Sequence, residues 1–490
     1  MKAPVANRIL MDKVAAVPPW AASFTSFLLT KAVESVKIPS QCKSGFPACR
    51  VLPAGALKGK GSTFNFSQAP FTTEILMRLH YAKLLLIALS LSLALAPAAL
   101  ASTWYVDGVN GDDANDCKSL TTACGTIGHA ISLSALGDTI QIAAATYQEN
   151  LTVPFDLTLT GAKAATTIID GGYNADVVVA LSATAKIALS NLTIQKGSGT
   201  HGGGVLNGGT MTITSSIIKG NVAGAGGGIY NSGTLTISGS TITGNFAAGT
   251  YSVAGGGIYN LGTLTINNST LSKNSGTPAF VYGGAIVNGG TLAISNSTFS
   301  GNSANGSTGG AGGAIDTSAG TVTITNSTFS GNTASAIFGG GGLYVEGGTV
   351  EISNSTFNGN RSSVPGGDIS NVGGTVTLQN SIVAGSGKAG NCFGSVASNG
   401  YNLSSDLTCN FSKAGDLNKT NPMLNPLRKN GGPTQTMSFQ PGSPAIDAGN
   451  PAGCTDNSGQ LLSFDQRGQA RHDNEDTGGC DVGAYESQTD

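Results

Sequence analysis

One stretch, residues 202–385, repeats a short unit seven times, and that repeat leaves few folds open. Its clearest copies read GGAIVNGGTLAISNSTFSGN at 283–302 and GGAIDTSAGTVTITNSTFSGN at 312–332. The second apolar residue of the T-(apolar)-T-(apolar) core recurs as Ile213, Ile237, Ile266, Ile294, Ile324, Ile352 and Leu378, in steps of 24, 29, 28, 30, 28 and 26 residues. A unit of this length, rich in Thr, Val, Ile and Gly and without a helical period, is the signature of a parallel β-solenoid.

Within a unit, Thr263-Leu264-Thr265-Ile266 alternates strictly, so one face is core and the other is solvent. The spacing adds strands around Ser297-Thr298-Phe299 and Ala285-Ile286-Val287. Three short strands per turn describe a right-handed, single-stranded parallel β-helix. Stacking then makes Ile218, Ile242, Leu271, Phe299, Phe329 and Phe357 an interior column. It makes Asn221, Asn245, Asn274, Asn302, Asn332 and Asn360 a structural ladder, since asparagine tolerates left-handed backbone and stacked amides bond from turn to turn.

The pairing of GGA(I/L/V) with F-x-x-N, at 283–286 with Phe299 and Asn302 and again at 312–315 with Phe329 and Asn332, resembles the repeat of polymorphic outer membrane proteins. That resemblance implies a β-helix and the bacterial cell surface, and no one activity. From residue 421 the pattern changes to GGPT at 431–434, PGSPAIDAG at 441–449, DQRG at 465–468 and CDVGAYE at 480–486. Together these resemble the tail of the bacterial β-helix proteins called choice-of-anchor Q proteins.

Residues 77–101 read as a secretory signal peptide: Arg78, His80 and Lys83, an apolar run over 84–95, and an A-x-A cleavage site at 99–101. Residues 1–76 are then expected to be untranslated or disordered, with translation starting at Met77. The expected organisation is an N-terminal cap over 102–145, repeats over 146–385, a looped last turn over 386–420 and a capping tail over 421–490. The helical spacing of Ile127, Ala130 and Ile131 predicts a short helix plugging the first turn. The product is expected outside the cell or on its outer membrane surface, with no integral membrane span after processing.

From residue 102 onward 14 Lys and Arg stand against 24 Asp and Glu, which argues against nucleic acid as a partner. Six cysteines fall into near pairs, Cys117 with Cys124, Cys392 with Cys409 and Cys454 with Cys480, as disulfides in an exported chain would.

Chemistry is harder to find. Asp107, Asp112, Asp113 and Asp116 form an acidic cluster near a glycine turn, a calcium candidate that matches neither the EF-hand loop nor the calcium nonapeptide. No other cofactor is expected. Aligning the repeats puts Asp316 over Tyr344, Glu346 over Ser318, Glu351 over Thr323 and Asp368 over Gly342, so no two acids share a column. Arg361 with Asp368 is the nearest approach to a catalytic pair; a surface ion pair is the plainer reading. In the tail, Asp447, Asp465, Arg467, Asp481 and Glu486 read as a packing cluster in which Arg467 pairs with one or more of the acids. The row Thr212, Thr236, Thr265, Ala293, Thr323, Glu351 and Thr377 reads as a structural ladder.

The sequence therefore points to an exported interaction protein, adhesin-like or glycan-binding, with a polysaccharide or a host or cell surface as its partner. The alternatives are a polysaccharide lyase or glycoside hydrolase, and a structural spacer. Stacked acids would favour the enzyme, an exposed aromatic strip would favour glycan binding, and a uniformly polar surface would favour the spacer.

Overall fold

The computed structural model describes residues 101–488 apart from 181, 278–279, 336, 457 and 472–478. The signal peptide and the upstream stretch lie outside the described residues. The described chain is a right-handed parallel β-helix. Four strands, not three, make each regular turn: Thr210–Thr214, Ile217–Lys219, Val222–Ala225 and Ile229–Asn231 in the first fully regular one. They build four parallel sheets, here the first to the fourth in that order, of 12, 11, 10 and 10 strands. The third of these strands was missed because it follows the turn asparagine as Val222-Ala223-Gly224-Ala225, a run too small and too glycine-rich to give a strand pattern.

The seven markers stack in register along the first sheet, from Ile213 with Ile237 to Ile352 with Leu378. The interior column is fully buried, and its phenylalanines stack face to face, Phe299 on Phe329 at 4.6 Å and Phe329 on Phe357 at 4.4 Å between centroids. Each such ring stabilises by roughly 1.5–3 kcal/mol through burial alone.

Three polar ladders run beside this column. In the predicted one, the Nδ2 of each asparagine from Asn221 to Asn332 donates to the Oδ1 of the next, at 2.8 to 3.1 Å. The backbone reasoning behind it needs correction. The left-handed residues are the glycines before these asparagines, such as Gly301 (φ 61°) and Gly331 (φ 64°). Left-handed asparagines do occur, but at the corner between the first and second sheets: Asn268, Asn296, Asn326, Asn354 and Asn380. A second amide ladder links Asn207, Asn231, Asn260 and Asn288 at 2.7 Å per step. In the third, the hydroxyls of Ser216, Ser240, Ser269, Ser297, Ser327, Ser355 and Ser381 are stacked, each from Ser240 onward accepting the backbone N–H of the serine one turn before. Every polar group in these columns is thereby satisfied without a charge.

The unequal repeat length has a local cause. Val222–Ala225 pairs with both Phe246–Ala248 and Ser252–Ala254, so from that turn the third sheet forks. The outer branch continues as Phe280–Tyr282 and Gly309–Ala311, and Ala247, Val253, Val281 and Ala304 form a small core of their own at the fork. The extra residues of the 28- to 30-residue steps build this branch.

Helix α1 (Ile127–Leu133) buries Ile127, Ala130 and Ile131 at the start of the stack, as the spacing predicts. At the far end, Cys392–Phe393, Ala397–Ser398 and Leu403–Ser404 add a last, shortened turn stapled by Cys392–Cys409. The other two near pairs, Cys117–Cys124 and Cys454–Cys480, are also bonded. The tail then runs back along the second sheet, held by Gln379, Asn354, Asn326 and Thr298.

Candidate functional site

In each three-residue strand of the fourth sheet the flanking residues point inward and the middle one outward. The outward column reads Leu206, Tyr230, Tyr259, Val287, Asp316, Tyr344 and Ser370. Tyr230 and Tyr259 stack at 5.4 Å with planes 14° apart, and His201 meets Tyr230 edge-on at 4.9 Å. The fork stands beside this column and adds more rings: Tyr251 on Phe280 at 5.4 Å, and Phe338 at 6.2, 5.9 and 6.1 Å from Phe280, Tyr282 and Tyr344. The result is an aromatic groove along the helix axis. Near its start His201, Tyr230, Tyr259, Ser252 and Ala254 line a cavity of about 220 Å³. Tyr251, at 69% exposure, projects into solvent at its edge. Tyr230, Tyr259, Phe280, Tyr282 and Phe338 are half-buried and Tyr344 is buried, so the groove shows solvent a row of partly covered rings.

Two acids lie at the far end of the groove. Asp316 is buried beside Tyr344, its register partner one turn on. Burial first, and then the nearby Glu346 charge, push its carboxyl well above the ordinary aspartate value. Burial and the same two acids raise the Tyr344 phenol to about 12 and shift Tyr282 upward as well. Glu346 is exposed. The alignment was right that the acids occupy different columns, but they are diagonal neighbours, one strand and two residues apart. The spacing within and between strands puts their Cα atoms about 8 Å from one another. No Lys or Arg among the described residues forms an ion pair with either. The arrangement gathers two carboxyl groups and two phenols at this end of the groove, with Glu346 exposed and Asp316 and Tyr344 buried.

The residues singled out from sequence lie elsewhere. Asp368 is fully buried at the end of the first asparagine ladder, where its Oδ1 accepts from Asn360 Nδ2 at 2.7 Å. Arg361 is exposed on the third sheet, and the two make no ion pair. Asp368 takes the column of Gly204, Gly228, Gly257 and Gly342, and its carboxyl ends the amide chain. The four acids of the N-terminal cap are each turned onto neighbouring donors: Asp107 onto the N–H groups of Val109 and Asn110, Asp112 onto Ala114, Asp113 onto Gly125 and Thr126, and Asp116 onto Lys118 and Thr122. Among the described residues no three acids converge as metal ligands; the nearest grouping is Cys117, Cys124 and His129, and its cysteines are disulfide-bonded.

The tail cluster is a packing cluster. Arg467 pairs with Asp465 at 2.7 Å and lies 3.7 Å over the Tyr485 ring, and Glu486 and Asp481 bond within the tail. Sequence reasoning missed its centre, Arg471, which is 1% exposed and bonds Glu486, Asn326 and Gly483 O. It also missed the aromatic groove. A signal for half of it was present: Tyr230, Tyr259 and Asp316 all sit two places after the glycine or alanine that closes a G-G or G-A pair.

No family model matches the chain, and no curated protein matches it. Solved structures similar to it include a pectate lyase and a xylose complex. The pectate lyase Pel9A shares 15% identity over 80% of this chain and 97% of its own, with a TM-score of 0.44. XylC, solved in complex with xylose, shares 9% identity over 78% and 98%, with a TM-score of 0.42. Likenesses this remote leave the chemistry to be argued from this chain's own residues.

Proposed function

We propose that this is an exported surface or extracellular protein that binds an extended polysaccharide along the aromatic groove without cleaving it. The observation that carries the reading is the Tyr230–Tyr259 stack continued by Phe280, Tyr282, Phe338 and Tyr344. Stacked on one another, Tyr230 and Tyr259 turn their ring edges and phenol hydroxyls outward, which suits the hydroxyls and C–H edges of sugars laid along the column. Successive turns rise by about 4.8 Å, so rings on neighbouring turns, as at Tyr230 and Tyr259, match a ligand that is itself a linear repeat. The export-type leader and the resemblances to polymorphic outer membrane proteins and choice-of-anchor Q proteins support the location.

The test is retention of the full chain on neutral and acidic polysaccharides, with product assays run alongside. Replacing both Tyr230 and Tyr259 by alanine is expected to weaken binding roughly tenfold or more while leaving the fold intact. Equal retention of the double variant would sink the reading. A hydrolase is the second reading, favoured by one observation: the buried Asp316, whose carboxyl burial pushes upward, stands one strand and two residues from the exposed Glu346. It predicts reducing ends that disappear in Asp316→Asn.

A further inference from the structure

The corner between the first and second sheets is a row of docking positions that the chain's own tail fills only in part. Asn268, Asn296, Asn326, Asn354 and Asn380 occupy equivalent left-handed positions on successive turns. Three of their amides hold the tail by main-chain oxygens: Asn380 Nδ2 donates to Asp481 O at 3.0 Å, Asn354 to Thr455 O at 2.8 Å and Asn326 to Phe464 O at 2.9 Å. The neighbouring hydroxyls do similar work. Thr298 donates to Gln435 O at 2.6 Å, and Thr356 accepts the N–H of Ala484 at 3.0 Å.

At the Asn296 corner the tail is met by Thr434, whose Oγ1 donates to Asn296 O at 3.0 Å, and the row continues past it to Asn268. Asn326 and Asn354 are buried, Asn296 is half-buried and Asn268 is exposed. The side-chain amides of Asn268 and Asn296 bond no described residue, and Thr270 beside them is half-buried where Thr298, Thr328 and Thr356 are buried. With Asn326 these two amides form one wall of a cavity of about 540 Å³, and tail residues 461–468 form the other. Leu461 and Phe464 are each 59% exposed at this edge.

We propose that the open end of the row is a docking site for an extended polypeptide segment of a partner protein. Its main-chain carbonyls would be held by Asn268, Asn296 and Thr270, and an apolar side chain would pack on Phe464. The occupant follows from continuity with the tail interface: at each filled asparagine the acceptor is a backbone carbonyl of an irregular, extended segment. Such recognition takes affinity from the main chain and specificity from one pocket. It does not depend on the aromatic groove.

The probe is the synthetic peptide TDNSGQLLSFDQRG, residues 455–468, which already spans two filled positions of the row. Fluorescence anisotropy with the full chain should show saturable binding below about 1 mM, absent for a scrambled peptide. Asn268→Asp with Asn296→Asp keeps a side chain that tolerates the left-handed corner and replaces the donors by acceptors, so binding should fall roughly tenfold or more with the circular dichroism unchanged. Lys413→Ala, far from the row, should leave it unaltered. Absence of saturation by about 1 mM, or equal binding by the double variant, overturns the proposal. So does a double variant that loses neutral oligosaccharide while the wild type ignores the peptide, or one whose only change is from dimer to monomer in sedimentation.

Discussion

The repeat array and the tail both bury many polar groups, by opposite means. In the array, neutral amides and hydroxyls bond their own kind one turn away, and the same bond recurs at 2.8 to 3.1 Å from Asn221 to Asn360. In the tail, no contact is repeated. Arg471 reaches Glu486 at 2.9 Å, Asn326 at 2.9 Å and Gly483 O at 2.7 Å, while Arg467 is held by Asp465 and Tyr485. Neutral ladders carry a small desolvation cost per turn, whereas a buried ion pair is worth little unless every partner is in place. The array therefore spreads its polar burial over many like bonds, while the tail concentrates it on a few charged groups.

The largest expected effect tests the array. Phe329→Ala removes the ring stacked between Phe299 and Phe357, and urea unfolding should show a loss of about 3–5 kcal/mol. Phe329→Leu, which restores the residue found at Leu271 in the same column, should cost less than about 1.5 kcal/mol. An equal loss for both would mean that the column depends on ring stacking more than on filled volume.

A smaller effect separates the two regions. Arg471→Ala leaves Glu486 buried without its guanidinium and should cost about 3 kcal/mol, felt as protease cleavage within the tail while the strand signal in circular dichroism persists. If the strands melt along with the tail, the regions are one cooperative unit and the contrast fails.

The smallest effect concerns the one acid inside the array's ladder. Burial pushes Asp368 up to about 7, and its Oδ2 has no hydrogen-bond partner. The folded value lies above the unfolded one, so the folded state holds the proton more tightly. Stability should fall as pH rises between about 4 and 7 and level off above that. Asp368→Asn should flatten this slope and gain on the order of 1 kcal/mol at pH 8 in urea titrations. Asp316, raised in the same direction, leaves a residual slope in that variant.

What could be read from the sequence was what recurs. Ile213 to Leu378, the phenylalanine column and the Asn221 ladder each return at one offset per unit, so period alone places them in register. The cysteine pairs were readable because each lies within 26 residues along the chain. The branch of the third sheet was not, because its strands are made of the residues by which repeats differ. Tyr251, Phe280 and Phe338 come from those variable stretches, and their meeting is a property of the turn-to-turn stack. Arg471 gave no signal either, since a single arginine in a polar segment looks solvent-exposed until a pocket closes on it.

The asparagine ladder is also directional. Every amide gives one proton to the next side chain in the ladder and the other back to a main-chain carbonyl of the turn before, and Asp368, which can only accept while ionised, receives the last forward one. Each interior turn hands on what it is given, so a copied unit inserted anywhere between Asn221 and Asn360 would find a donor behind it and an acceptor ahead. Gene duplication could thus lengthen or shorten the molecule a whole turn at a time, and its length would be a heritable number so long as the terminal acid stayed last.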